Sequence, residues 1–302
     1  MREFNKSEML SRAFLAKKKL LIVSITNKCN LRCIYCRSAE KGDWYDKLSE
    51  KKSDDNIIFD NVLHIIKSND FSEIMLSGGE PFATKNITEF SENLLTTHKS
   101  ISIHTNGVHP KAITRLLELY RKGIKPNLHI SSELFPSHQI NFRGCSLPIE
   151  FISIAKELEL EMELKVVVNP LFLEYIDNID LAIDFWIEKG IKQIRFQPLA
   201  PVGNTPKNLH LTSDHVDIFY KLINLKKQEK YKNVIRNSEE SFLAAIKVLN
   251  SKTKTIYKDC NMCEKINFIT SSGCCVNCAS MWGKKSPECN QAFDLICCGF
   301  QP

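Results

Sequence analysis

The sequence predicts an α/β fold, a partial (β/α)6 TIM-type barrel with a small cysteine-rich C-terminal extension. Three observations predict it. Six short apolar runs rich in β-branched residues recur between residues 19 and 197, bounded by Gly, Pro, Asn or Lys. Segments with helical periodicity fill the intervals, and alternation of this kind builds parallel βα units. Eight of the 12 cysteines fall between Cys260 and Cys298, outside that pattern.

The strand segments, in order, are "KLLIVSIT" (19–26), "SEIMLS" (72–77), "SISIHT" (100–105), "NLHISS" (127–132), "EMELKVVV" (161–168) and "IKQIRFQ" (191–197). Between the first two, "DNIIFDNVLHIIKS" places Ile57, Ile58, Val62, Ile65 and Ile66 on one helical face. "ITRLLELYRKG" ends at Gly123, a C-terminal stop for a helix. Further helices start near Pro148 and end at Gly190. Parallel strands need crossover connections, and right-handed crossovers curl such a sheet toward a barrel. Six units leave that barrel open on one side. After "PLAPVGNTPKNLHLT" (198–212) a basic helix is expected over about 213–231 and another over 238–250. The expected domains are an N-terminal segment (1–18), the barrel (19–210) and the extension (211–302).

Composition narrows the class. With 302 residues, 43% hydrophobic and 25% charged, the chain is long enough and apolar enough for a large core. A formal charge of +6 is well short of a nucleic-acid binder's signature, so no nucleic-acid partner is expected. The lysine runs at 17–19 and 225–232 read as solvated faces. The apolar run "LLIVSI" (20–25) is of strand length, and nothing approaches a membrane span or a signal peptide. No membrane association and a cytoplasmic location are therefore expected. In a reducing compartment, cysteines at this density point to metal before disulfides.

The loop after the first strand reads "CNLRCIYC", with Cys29, Cys33 and Cys36 spaced C-x3-C-x2-C. A disulfide uses two thiols and a closed structural zinc site uses four ligands. Three cysteines fit either a zinc loop completed by a distant ligand or a [4Fe–4S] cube with one iron left open. Functional loops of βα barrels follow the C-terminal ends of strands, which is where this loop falls.

This loop resembles the signature of the radical S-adenosylmethionine (radical SAM) enzymes. The resemblance implies that the open iron of a [4Fe–4S] cluster chelates SAM. It further implies reductive cleavage to a 5′-deoxyadenosyl radical that abstracts a substrate hydrogen. Tyr35 would contact the adenine. Later strand ends carry matching landmarks. "SGGEP" (77–81) is similar to the family's glycine-rich turn, so Gly78, Gly79 and Glu80 would meet the SAM amino group. "TNG" (105–107) also recurs in the family and brings in Asn106. In "ISSELFPSHQINFRG" (130–144), Ser131 and Arg143 fit the residues that hold the SAM carboxylate and ribose. The family's usual Asp-Gly is replaced there by Glu133-Leu134. Asn169, at the end of the fifth strand, matches a polar position facing SAM.

The tail contains Cys260 and Cys263 as C-x2-C, then C-x9-G-x4-C through Gly273 to Cys278. It resembles the opening of SPASM and twitch extensions, and the resemblance implies one auxiliary [4Fe–4S] cluster. Cys260, Cys263 and Cys278 would be ligands, with Cys297 as fourth. Cys289, Cys298, Cys274, Cys275, an exogenous ligand or the substrate remain alternatives for that fourth position, and a zinc ribbon remains an alternative for the whole. The arginine-rich C-terminal tail of the related GTP cyclase is missing, which argues against that activity.

The resemblance makes modification of a ribosomally made peptide the first expectation: crosslinking, thioether formation, epimerisation or oxidation. Dehydrogenation or rearrangement of a small sugar- or nucleotide-type metabolite is the runner-up. A non-catalytic zinc module or an electron carrier leaves "SGGEP", "TNG" and Arg143 unexplained. The expected partners are a peptide or small-molecule substrate and an electron donor such as flavodoxin or ferredoxin. About eighteen residues before the first strand are too few for a leader-binding domain, so a peptide would need a separate leader-binding protein or direct capture. Cys145, which belongs to neither cysteine group, would be a hydrogen-atom donor if the reaction is redox-neutral; its ordinary role would be a buried small hydrophobe.

Overall fold

The structure is a computed structural model. It describes residues 20–26, 28–36, 63, 66, 71–96, 100–199 and 205–250, and the backbone of 266–269 and 275–277. All six expected strands form: β1 Leu20–Ser24, β2 Glu73–Ser77, β3 Ser100–Thr105, β4 Asn127–Ser131, β5 Met162–Val168 and β6 Gln193–Pro198. The helices are α1 Ile87–Leu95, α2 Ala112–Arg121, α3 Pro136–Arg143, α4 Ile149–Glu157, α5 Ile179–Glu188, α6 Val216–Lys226 and α7 Glu239–Asn250. In the tail, β7 spans Ile266–Ile269 and β8 spans Cys275–Asn277. The result is an α/β fold with a parallel sheet of six strands, as the alternating pattern predicts.

The described residues divide into two compact units. The first holds β1, β2, β3, α1, α2, β7 and β8. Here β1 pairs in parallel with β2, from Leu20 opposite Glu73 to Ser24 opposite Ser77, and β2 pairs in parallel with β3. The core side chains Leu21, Val23, Ile74, Leu76 and Ile103 are fully buried. Helix α2 buries Ala112, Arg115, Leu116 and Leu119 at helical spacing, and the chain turns away at Gly123, where φ is 75°. The tail strand β7 adds in parallel to the free side of β1, and β8 returns antiparallel to it.

The second unit takes in the chain from His129 onward through β5, β6 and α3–α7, together with Leu31–Cys36 of the cysteine loop. β5 and β6 pair in parallel, with Lys165 opposite Arg195. Helix α5 buries Ile179, Ile183 and Trp186, the last donating its indole N–H to the Leu134 carbonyl. Helix α3 is not signalled by periodicity. Its buried residues are His138, Gln139, Phe142 and Arg143, so it has no apolar stripe for a sequence pattern to reveal. Its ends are nonetheless conventional, with Pro136 in the first turn and Gly144 at φ 68° beyond the last. Among the described residues no helix is long and apolar enough to cross a membrane.

The outer side of β6 is covered by the chain between α6 and α7. Ile194 N–H donates to the Val234 carbonyl at 2.7 Å, and Arg236 N–H donates to the Ile194 carbonyl at 2.8 Å. The buried Asn237 side chain then accepts from Phe196 N–H (2.8 Å) and donates to Phe196 O (2.9 Å). An uncovered strand edge invites pairing with other chains, and these bonds remove it. Asn237→Ala leaves both Phe196 backbone groups buried and unpaired, a loss of about 2–4 kcal/mol. The expected outcome is a lower urea midpoint by circular dichroism. An unchanged midpoint would show that water replaces the amide.

Candidate active site

In the first unit, the ends of β1, β2 and β3 are tied together by backbone and one carboxylate. Gly79 N–H donates to Thr26 O at 2.7 Å, and Glu80 N–H donates to Lys28 O at 2.8 Å. The glycine turn is thereby zipped to the segment that runs into Cys29. Position 78 admits only glycine: φ is 132°, and a Cβ there would lie 2.3 Å from Thr26 O. Glu80 is fully buried. Its carboxylate accepts from Phe82 N–H (3.1 Å), Thr105 Oγ1 (2.7 Å) and Asn106 N–H (2.7 Å). Asn106 in turn donates from Nδ2 to Asn30 Oδ1 at 3.0 Å and reaches Cys29 Sγ at 3.8 Å. Thus the "TNG" turn, 77 residues away in sequence, is placed beside the first cysteine. The Ser24 hydroxyl, at the end of β1, is buried without a hydrogen-bond partner among the described residues.

In the second unit, the rest of the cysteine loop is docked on α3. Cys36 N–H donates to Cys33 O at 2.9 Å, which closes a tight turn around Tyr35. Ile34 N–H donates to Phe142 O at 3.0 Å. The Tyr35 ring meets Phe142 edge-on at 6.1 Å, and the Arg143 guanidinium carbon lies 5.6 Å from the Tyr35 ring centroid. The Tyr35 hydroxyl donates to Glu133 Oε1. Arg143 Nε donates to the same oxygen at 2.8 Å. Glu133 is completely buried, and its Oε2 has no partner among the described residues. Burial pushes the Tyr35 phenol well above its usual pKa, with the Glu133 charge adding to it, so the phenol remains a donor. Burial opposes the Arg143 charge, but Tyr35, Glu133 and Cys33 outweigh it and hold its pKa above the ordinary value.

Gln139 organises the segment after β4. Its Oε1 accepts from Ser132 Oγ (3.1 Å) and Glu133 N–H (2.9 Å), and its Nε2 donates to Cys145 Sγ (3.3 Å). Ser131, the last residue of β4, is half-buried, while Ser132 is fully enclosed. Asn169 follows β5, and its side chain accepts from Leu171 N–H at 3.0 Å, capping the next turn. Cys145 is half-buried, and burial pushes its thiol pKa up.

Comparison with known proteins places the domain that carries these residues. The Radical SAM superfamily model matches residues 23–144, from within β1 to the glycine after α3. The chain carries a radical SAM domain over those residues. GTP 3′,8-cyclase of Clostridium botulinum is 28% identical over 267 residues, 85% of this chain and 75% of that protein. SuiB of Streptococcus suis, solved bound to S-adenosylmethionine, has a TM-score of 0.69 at 16% identity over 93% of this chain. The chain spans 64% of SuiB's own length. Coproporphyrinogen III oxidase of Escherichia coli, itself described as a radical SAM enzyme, has a TM-score of 0.52 at 13% identity, covering 74% of this chain and 56% of its own. This protein is thus a radical SAM enzyme, and membership implies a [4Fe–4S] cluster and SAM.

The residues present fit those groups. Cys29, Cys33 and Cys36 are at least partly accessible cysteines, a donor set suited to an iron–sulfur cube with one open iron. Among the described residues no three His, Cys, Asp or Glu side chains already converge as a metal site. The terminal N–H groups of Arg143 make no other hydrogen bond among the described residues, so they are donors suited to a carboxylate. The orphaned Ser24 Oγ and Glu133 Oε2 are further polar atoms that a ligand would satisfy. Glu133, Gln139 and α3 were not marked as functional by the sequence. Only the departure at 133–134 from the family's Asp-Gly pointed to that place. The proposed auxiliary ligands Cys260, Cys263, Cys278 and Cys297 lie outside the described residues.

Burial raises the Glu80 carboxyl from 4.5 to about 7, against the lowering effect of its bonds from Asn106, Thr105 and Phe82. The folded chain therefore binds a proton that the unfolded chain releases between those values. Stability contributed by this group is present below about 4.5 and falls as pH rises through about 7. The loss amounts to about 3 kcal/mol across the window. Urea midpoints measured from pH 4.5 to 7.5 are expected to lose this slope in Glu80→Gln. Parallel profiles for the two proteins would contradict the assignment.

Proposed function

We propose that this enzyme acts on a small polar metabolite of sugar or nucleotide type, removing a hydrogen atom to start a dehydrogenation or rearrangement. The similarity to GTP 3′,8-cyclases over 85% of the chain carries this reading. A buried charged cluster in the second unit supports it: Glu163 takes Arg195 Nε at 2.9 Å, with Lys165 Nζ at 3.7 Å and His129 Nδ1 at 3.5 Å. Burial works against the Glu163 charge, but the His129, Lys165 and Arg195 groups hold its pKa far below the usual carboxylate range. His129 and Ser131 lie on one face of β4, so this polar surface continues toward the strand end where Ser131 sits.

In this reading Cys29, Cys33 and Cys36 hold the cluster. When bound, it supplies the electron that cleaves SAM to a 5′-deoxyadenosyl radical. The chain's own groups bind and orient. Gly78 and Gly79 allow backbone to approach the SAM amino end, with Glu80 holding that turn in place. Tyr35 provides a flat wall for adenine, Arg143 pairs with the carboxylate, and Asn106, Ser131 and Asn169 supply polar contacts. Cys145, its thiol pKa raised by burial, would give a hydrogen atom to the substrate radical in a redox-neutral reaction, and the thiyl radical left on it would be restored by one electron from the donor and a proton. The electron would come from a flavodoxin- or ferredoxin-type donor.

A peptide substrate is the second reading. The fold likeness to SuiB favours it, since that protein has also been solved bound to its precursor peptide SuiA. A separate leader-binding protein would then supply the peptide. Both readings accommodate an auxiliary [4Fe–4S] cluster on Cys260, Cys263, Cys278 and Cys297. The β7–β8 hairpin supports it, because it folds the chain between Cys263 and Cys278 back on itself.

Anaerobically reconstituted enzyme given a strong reductant is expected to convert SAM to 5′-deoxyadenosine. Alanine at Cys29, Cys33 or Cys36 is expected to reduce this to background, as each removes one of three protein ligands. Product formation unchanged in all three variants would sink the assignment. Nucleotides and sugars, tested against peptides for stimulated 5′-deoxyadenosine and substrate loss, separate the two readings.

Cys260→Ala or Cys278→Ala is expected to lower bound iron by about one cluster, about four irons. SAM cleavage should survive while substrate turnover fails. Iron equivalent to a single cluster in the unmutated enzyme would rule the auxiliary site out.

A further inference from the structure

We propose that Glu133 is a positioning residue that locks the cysteine loop to α3 through the Tyr35 hydroxyl, so that this enzyme requires tyrosine, and not merely an aromatic ring, at position 35. The inference rests on the reading that Cys33 and Cys36 are cluster ligands. Its geometry lies wholly within the second unit.

Tyr35 sits between Cys33 and Cys36, inside the turn closed by Cys36 N–H and Cys33 O. Whatever fixes its ring fixes the two thiols on either side. The ring alone makes ordinary packing contacts, an edge-on meeting with Phe142 and the Arg143 guanidinium beside it. Such contacts allow the loop to slide. The hydroxyl ends that freedom, because it donates to a carboxylate that is fully buried and cannot follow the loop.

Glu133 is itself held in place. Its N–H is bonded to Gln139 Oε1 at 2.9 Å, and Gln139 lies on α3. Its Oε1 is shared between Tyr35 and Arg143 Nε. One carboxylate oxygen thus sets both the loop's aromatic ring and the arginine whose terminal N–H groups stay outside the pair. The Ile34–Phe142 backbone bond adds a second attachment one residue from each member. Removing the hydroxyl leaves the ring, the fold and the Glu133–Arg143 pair in place, and leaves the loop held to α3 by the Ile34–Phe142 bond and ring packing alone.

The test uses Tyr35→Phe and Glu133→Gln in the reconstituted enzyme. A hydrogen bond to a buried carboxylate corresponds to about a tenfold or larger change in the local opening equilibrium. Hydrogen exchange at the Ile34–Cys36 amides is expected to speed up about tenfold in Tyr35→Phe, with β5 amides unchanged. Chelator-driven iron release and the SAM dissociation constant are expected to rise by a similar factor. The EPR spectrum of the reduced cluster with SAM should also differ from wild type, which general destabilisation would not cause. The double variant should be no worse than Glu133→Gln alone. Unchanged exchange in Tyr35→Phe overturns the lock. Faster exchange with unchanged iron release, SAM affinity and EPR spectrum overturns the positioning role. Wild-type protein that binds neither cluster nor SAM overturns the cofactor reading instead, and leaves the exchange result to judge the lock. If Glu133→Gln fails to fold, Tyr35→Phe decides the matter by itself.

Discussion

A carboxylate removed from water must be given hydrogen-bond donors or a countercharge, and this constraint organises both halves of the cysteine loop's surroundings. Glu80 and Glu133 are each completely buried. Glu80 meets the constraint with backbone N–H groups and a hydroxyl. That choice draws the end of β2 onto the turn after β3 and brings Asn106 to Cys29. Glu133 meets it with a phenol and a guanidinium, which draws Tyr35 and Arg143 to one oxygen.

The two solutions have different electrostatic consequences. Glu80 has only neutral donors, so burial dominates and its carboxyl titrates near neutrality, at about 7. Glu133 has a cation in contact, and a buried ion pair of this kind costs about 3–5 kcal/mol to break by removing one partner. The first arrangement tolerates protonation and holds a turn. The second holds two groups suited to a charged, partly aromatic ligand. An arginine paired through Nε retains its terminal N–H groups for a carboxylate, which a fully paired guanidinium could not offer.

Glycine has a narrower part in the same design. Thr26 O lies where a Cβ of residue 78 would be, so the glycine turn can be zipped to the β1 exit only without a side chain. That close approach leaves Gly79 N–H and Glu80 N–H bonded to the segment entering the loop. The loop's first cysteine therefore begins from a fixed backbone.

Much of this was legible in the sequence. The strands were visible because each is a short β-branched run with a turn at its end, and all six form where expected. The cysteine loop, the glycine turn, Asn106 and Arg143 were visible because their residue types and order at successive strand ends match a known family. What stayed hidden were pairings between distant residues and elements without periodicity. Helix α3 buries polar side chains and shows no apolar stripe. Asn237 reads as a loop residue until it is found clipped to Phe196, 41 residues earlier. Glu133 stands out in the sequence only as a departure from the family's Asp-Gly, and its partner Tyr35 lies 98 residues away. By itself, the sequence determined which strands form, where the thiols lie and which family the chain resembles, since those depend on local residue types and spacing. Only the tertiary structure decided which buried carboxylate holds which part of the loop, since that depends on where folding places a donor within about 3 Å of an oxygen.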